Sequence, residues 1–260
     1  SGKFTEEELA EIDKEAKKEI SAAHKKALVA PDPDPASIYD FVLPDPYVSE
    51  KYPKGLHDGS KGEAKRLIAA LNETLKPEFR HNPDTYIWGQ DVAHKEKGGI
   101  FNVTKGMQQE FGKKRVFNAP IAEDYIMGTA NGMSRYDEKI RIVVEGAEFA
   151  DYFWPAMEQL VDSTHDYWRS NGAFTPNVTI RLASGGYIGG GLYHSQTIEG
   201  ALATLPGLRI VYPSFADDAA GLLRTSMRSR GMTMFMEPKA LYNDPMAETI
   251  VPDDFEVPFG

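Results

Sequence analysis

Apolar positions recur at Leu9, Ile12, Ala16, Ile20, Ala23 and Ala27, the spacing of a helix over residues 5–28 that carries one narrow apolar stripe. Thr5 and Glu8 form a capping box at its start, Glu6 and Glu7 crowd the positive end of its dipole, and Lys25 and Lys26 sit near the negative end. So slender a stripe suits docking on another surface better than building a core. Between 29 and 59 the pattern lapses. Pro31, Pro33 and Pro35 alternate with Asp32 and Asp34, and Pro44, Pro46 and Pro53 follow, which predicts a stiff, extended connector.

From residue 60 short apolar runs and helical patterns alternate. Ser60 with Glu63 reads as a second capping box, opening a helix with Leu67, Ile68, Leu71 and Leu75 on its inner face. Apolar runs at 85–89, 115–118, 140–145, 177–182, 208–213 and 232–236 predict strands, and the segments 123–136, 149–170, 195–205 and 215–230 predict helices. Near-continuous apolar strands alternating with helices indicate an α/β fold: a mostly parallel sheet of about six strands with helices on both faces. The acidic tail 244–260, with Pro245, Pro252 and Pro258, reads as a truncated linker to a further domain. Four parts are therefore expected: a helix at 1–28, a Pro/Asp linker at 29–59, an α/β domain at 60–243 and a linker at 244–260.

Composition narrows the chemistry. With 29 basic against 39 acidic residues the net charge is −10, and no basic stripe appears, so no nucleic-acid partner is expected. The 260 residues contain no cysteine, which removes disulfides, thiolate metal sites and a cysteine nucleophile. No apolar run approaches the ~18 residues that span a bilayer, so no membrane partner and a cytoplasmic location are expected. Dinucleotide, phosphate-loop, HExxH and GxSxG motifs are absent, and the six histidines lack metal-ligand spacing, so no metal site is assigned.

In parallel sheets ligands bind beyond the carboxyl ends of strands, and three such loops stand out. At 119–124, Glu123 falls at the start of a helix beside Ile121. The dipole favours its charged form and the apolar neighbours oppose it, while an acidic helix start is also a common stabilising device. At 145–154, Glu145, Glu148 and Asp151 mix with Phe149, Tyr152 and Trp154; Tyr152 can offer a flat face to a heteroaromatic ring, or these rings are core. At 184–196, Gly185, Gly186, Gly189, Gly190 and Gly191 let the backbone bend freely or pass close to a ligand, and His194 follows them, as a structural or a chemical group.

Together these stretches resemble one family. Gly98-Gly-Ile-Phe-Asn-Val-Thr-Lys-Gly, Phe111-Gly-Lys-Lys-Arg-Val-Phe-Asn-Ala-Pro-Ile-Ala-Glu, Glu148-Phe-Ala-Asp-Tyr, Tyr193-His-Ser-Gln, Val211-Tyr-Pro-Ser and Glu237-Pro-Lys-Ala-Leu-Tyr look like the beta subunit of thiamine-diphosphate-dependent 2-oxo acid dehydrogenases. Order and spacing hold from about Leu67 to Tyr242. The resemblance implies the transketolase-like pyrimidine-binding domain of that family and oxidative decarboxylation of a 2-oxo acid, 2-oxoisovalerate ahead of pyruvate, with acyl transfer to lipoamide.

It also implies residue roles. Glu123 is the carboxylate facing the cofactor's aminopyrimidine, where a charge-assisted hydrogen bond favours the tautomer that takes the thiazolium proton. His194 is the proton-handling histidine, and Ile121, Glu148 and Tyr152 are the cofactor contacts, with Tyr152 stacked on the ring. Glu148 stands where the family commonly has glutamine, so it either raises one pKa of a pair with Glu123 or faces elsewhere.

The Gly-Asp-Gly and Asn-Asn motif that holds diphosphate and Mg²⁺ in the family's alpha subunit does not occur in this chain. The resemblance therefore implies an alpha-like domain as partner. The helix at 1–28 resembles the end of an alpha subunit, so that domain is expected on the same polypeptide as an alpha–beta fusion. A lipoyl acyltransferase core and a homo-oligomer are the other partners implied. The alternatives are a transketolase-type thiamine enzyme and a docking module that is catalytically silent when isolated.

Overall fold

The computed structural model describes residues 3–51, 62–187, 189, 191 and 193–259. Two compact units divide at residues 40 and 41. In the first, helix α1 (Glu6–Leu28) begins with the predicted capping box: the Glu8 N–H donates to Thr5 Oγ1 at 3.2 Å and the Thr5 N–H to Glu8 Oε2 at 2.7 Å. Its residues are all exposed, as a narrow stripe leads one to expect. A 3₁₀ turn at Pro35–Tyr39, capped by Asp34, follows within the Pro/Asp stretch.

The second unit contains, in order, β1 (Glu63–Lys65), α2 (Leu67–His81), β2 (Thr85–Gly89), α3 (Met107–Phe111), β3 (Val116–Asn118), α4 (Glu123–Tyr136) and β4 (Arg141–Ala147). A 3₁₀ turn (Ala150–Ala156) leads into α5 (Met157–Thr164), α6 (Asp166–Arg169), β5 (Val178–Ser184), α7 (Glu199–Leu202), β6 (Leu208–Val211), α8 (Ala216–Arg228), β7 (Met232–Pro238) and β8 (Thr249–Val251). Six strands form one sheet in the order β3-β2-β4-β5-β7-β6, and every pairing in it is parallel. All six predicted strands are present.

Alternation along the strands divides the core between two faces. Ile142, Val144, Met234 and Met236 pack with Ile126, Met127 and Ala130 of α4 and with Phe153 and Leu160. Ile87, Val143 and Phe235 face the other way, onto Leu71, Leu75 and Phe79 of α2 and Leu223 and Met227 of α8. The central strands β4, β5 and β7 bury both sides, which is why their runs read as continuously apolar rather than alternating.

Three expected helices change. Ser60 lies outside the described residues, but Glu63 belongs to strand β1, paired antiparallel with β8, and the helix begins only at Leu67. The single helix expected over 149–170 is broken, because Pro155 supplies no N–H and its ring excludes an uninterrupted α-helix there. Only Glu199–Leu202 of the segment 195–205 is helical.

The connector and tail also differ from linkers. Within 41–51, the Tyr47 N–H donates to Ser229 Oγ at 3.0 Å and the Tyr47 hydroxyl to Glu256 at 3.2 Å, so the extended segment ends near residue 40 rather than 59. In the tail, β8 completes the two-stranded sheet and Phe255 and Glu256 are buried, with Glu256 ion-paired to Arg228. Proline content disguised both segments, whose anchors are single aromatic and charged side chains. Among the described residues no helix is long and apolar enough to cross a membrane.

Candidate active site

Parallel strands deliver their carboxyl ends to one edge of the sheet, and the predicted site residues leave from that edge. Gln90 follows β2, the turn 119–122 and Glu123 follow β3, Glu148 to Tyr152 follow β4, the glycine loop and His194 follow β5, and Lys239 follows β7. The glycine loop turns through left-handed backbone at Gly185 (φ +81°) and Gly191 (φ +83°), a conformation that side chains disfavour. The Gly185 N–H donates to Gln196 O at 3.1 Å, which draws the outgoing and returning limbs together beside His194.

Glu123 is the first residue of α4 and only 7% exposed. Ala122 offers no side-chain cap, so the helix's positive end is left for the carboxylate. Gln90 Nε2 donates to Glu123 Oε1 at 2.7 Å, and Oε2 has no hydrogen bond among the described residues. Ile121, immediately before the helix, is 84% exposed. A buried, oriented carboxylate with one free oxygen beside an uncovered aliphatic side chain is suited to a flat, partly apolar ring that carries a nitrogen hydrogen-bonding group.

Aromatic rings gather two strands away. The His194 ring lies edge-on to Phe149 at 4.5 Å between centroids and to Tyr152 at 5.4 Å. Phe149 is buried, whereas Tyr152 is 41% exposed. His194 Nδ1 is enclosed and has no hydrogen-bond partner among the described residues, a buried polar atom of the kind that a ligand or water satisfies. The structure thus brings Tyr152 and His194 into one cluster and holds Glu123 with Gln90 at another point on the same edge.

Glu148 does not pair with Glu123. Burial pushes its carboxyl up, and Asp91 adds to the effect. It lines a small cavity with Gly98, Gly99, Glu145 and Arg181, so it faces the sheet's buried charges. In that cluster Arg181 holds Glu237 with two bonds, Nε to Oε1 at 2.6 Å and Nη2 to Oε2 at 2.9 Å, and reaches Glu145 Oε2 from Nη1 at 3.4 Å. The Tyr242 hydroxyl donates to Glu237 Oε2 at 2.6 Å. The Glu145 carboxyl is pushed up to about 7: burial raises it most, Arg181 pulls it down, and Glu237 and Glu148 push it up.

Sequence reasoning missed Gln90, a neutral amide outside any motif, whose one signal is its place directly after a strand. It also missed Arg181, which lies inside an apolar strand where charge reads as noise, and gave Glu237 no role beyond its place in a matched stretch.

With this arrangement in view, comparison with known proteins places the chain. Residues 64–245 match the family model described as transketolase, pyrimidine binding domain, and the chain belongs to that family. Among curated relatives it is 41% identical over 180 residues to the 2-oxoisovalerate dehydrogenase subunit beta of Pseudomonas aeruginosa, covering 69% of this chain and 50% of the relative. The corresponding Bacillus subtilis subunit is 36% identical over 74% of this chain and 58% of its own length. The pyruvate dehydrogenase E1 component subunit beta of Staphylococcus aureus is 35% identical over 75% of this chain and 58% of its own length. The beta-subunit resemblance is therefore confirmed at the level of the family, and the chain spans about half the length of the curated relatives it matches.

Proposed function

We propose that this chain is the pyrimidine-binding part of a thiamine-diphosphate-dependent 2-oxo acid dehydrogenase. The observation that carries the reading is Glu123: a buried carboxylate at a helix start, one oxygen held by Gln90 and the other without a hydrogen bond among the described residues, on the sheet edge where ligands bind. Ile121 and Tyr152 supply exposed aliphatic and aromatic surface at that edge, which fits an aminopyrimidine. When bound, the cofactor supplies an electron sink for decarboxylation next to a carbonyl.

The chain's own residues bind, orient and exchange protons. Glu123 would hold or share a proton with a ring nitrogen through Oε2, and Gln90, bonded to Oε1, would fix the carboxylate plane for that contact. Tyr152 would offer its exposed ring to the pyrimidine, and His194, whose Nδ1 has no partner among the described residues, would hold or move a proton during acyl transfer. Diphosphate and Mg²⁺ are held by an alpha-like part carrying the Gly-Asp-Gly motif. We place that part on the same polypeptide, with the assembled protein a homo-oligomer acting on a lipoyl acyltransferase core; a gene product with no such motif upstream would contradict the fusion.

The relatives named for 2-oxoisovalerate favour that acid over pyruvate. The test is turnover by the complete enzyme with thiamine diphosphate, Mg²⁺ and an artificial electron acceptor. The expected order is 2-oxoisovalerate, then pyruvate, with no turnover of a ketose phosphate. Ketose phosphate turnover without 2-oxo acid decarboxylation would replace this reading with a transketolase-type one. The isolated chain is expected to bind thiamine diphosphate too weakly to measure, and micromolar affinity would refute the need for a second half-site.

A further inference from the structure

Behind His194 lies a pair of buried charges that the proposed chemistry leaves unused. Asp151, in the 3₁₀ turn after β4, is only 6% exposed. Its Oδ2 accepts the Ser195 N–H at 3.3 Å, and both carboxylate oxygens accept the Gln196 N–H at 3.2 Å. The two residues that follow His194 are thereby fastened to a strand end other than their own. Lys239, after β7, is buried; Nζ donates to Ala183 O at 3.4 Å and lies 5.5 Å from the centre of the Phe149 ring. Burial pushes the Lys239 ammonium pKa down, and the nearby carboxylates of Asp151 and Glu199 pull it back up. Phe149 contacts both Lys239 and His194.

We propose that Asp151 is a positioning residue for His194: its carboxylate, countered by the Lys239 charge, fixes the backbone of Ser195 and Gln196 and so sets the imidazole edge-on to Phe149 and Tyr152. Three strand ends then determine one side chain, with β4 giving Asp151 and Phe149, β5 the loop and β7 the lysine. A carboxylate suits this task because it can accept from two adjacent N–H groups at once, and hydrogen bonds to a charged group hold a loop more firmly than neutral ones. The inference deepens the reading of His194 as a proton-handling group and rests on it. Its geometry needs neither cofactor nor substrate.

The test uses the 260-residue chain with ¹³C-labelled histidine, read by NMR. The His194 ring signals are those lost in His194→Gln, and the neighbouring Phe149 and Tyr152 rings displace them from their ordinary positions. In Asp151→Asn, which keeps the size and removes the charge, these signals should move toward ordinary histidine positions. The Ser195 and Gln196 amides should exchange about tenfold faster or more, the equivalent of one lost charged hydrogen bond, while the Val143 and Ile180 amides stay protected. A merely structural role for Asp151 would lower the melting temperature and leave the His194 signals in place, which would overturn the proposal. Should the single variant fail to fold because buried Lys239 loses one of its two nearby carboxylates, Asp151→Asn combined with Lys239→Met removes both charges and relieves that cost. Unmoved His194 signals in that folded double variant would equally overturn it. Neither failure touches the thiamine reading, which turnover by the complete enzyme decides.

Discussion

At neutral pH the Glu145 carboxyl stands near the midpoint of its titration, because burial opposes its charge more strongly than Arg181 favours it. Its pKa is about 7 in the folded chain against 4.5 as the ordinary value, so folding favours its protonated form. The stabilising contribution is complete below pH 4.5 and is lost as pH rises through about 7. Relative to Glu145→Gln, the wild type should lose about 3 kcal/mol of unfolding free energy across that window. Denaturant titrations of both proteins at pH 5 and pH 8 measure the difference, and parallel pH profiles would contradict it. Such residues were not legible from sequence. Glu145 read only as a member of an acidic loop, its partner Arg181 was hidden inside an apolar strand, and Glu237 stood in a matched stretch with no sign of its partners.

Elements were more legible than their contents. The six strands stood out because a parallel sheet buries both faces, and α4 began at Glu123 as expected because strand, turn and acidic helix start follow directly in sequence. What failed needed partners distant in the chain. Strand β1 exists only by pairing with β8, so Ser60 and Glu63 together imitated a capping box. Close approach is equally invisible in sequence. A Cβ on Gly89 would lie 2.5 Å from Glu145 O and 2.6 Å from Glu145 Cβ, where β2 and β4 pair at the site's edge. Gly89→Ala should therefore destabilise the chain by about 1–3 kcal/mol. Chemical unfolding reads this, and a cost near zero would show that the strands can part there without loss.

Taken whole, the second unit is closed by the segments that composition disguised as linkers. Phe255 is 1% exposed, and its carbonyl accepts from Arg224 Nη1. Phe255→Ala should cost about 3–5 kcal/mol, as for other buried aromatics; a true linker would lose almost nothing, so the melting midpoint separates the two. The candidate site was legible because its residue types sit at strand ends in family order. Gln90 escaped, and Asp151 and Lys239 stood in the matched stretches without a role, because they act through neighbours that only the fold supplies.

Glu123 is either a group that handles a cofactor proton or an ordinary acidic helix start. The direct test compares the wild-type complete enzyme with Glu123→Gln in decarboxylation of 2-oxoisovalerate, using thiamine diphosphate, Mg²⁺ and an electron acceptor. Loss of a positioned acid–base group predicts a fall in kcat of ~10²-fold or more with the fold unchanged by circular dichroism. Undiminished turnover in Glu123→Gln would mean that the carboxylate only starts a helix, and the proposed site would fall with it.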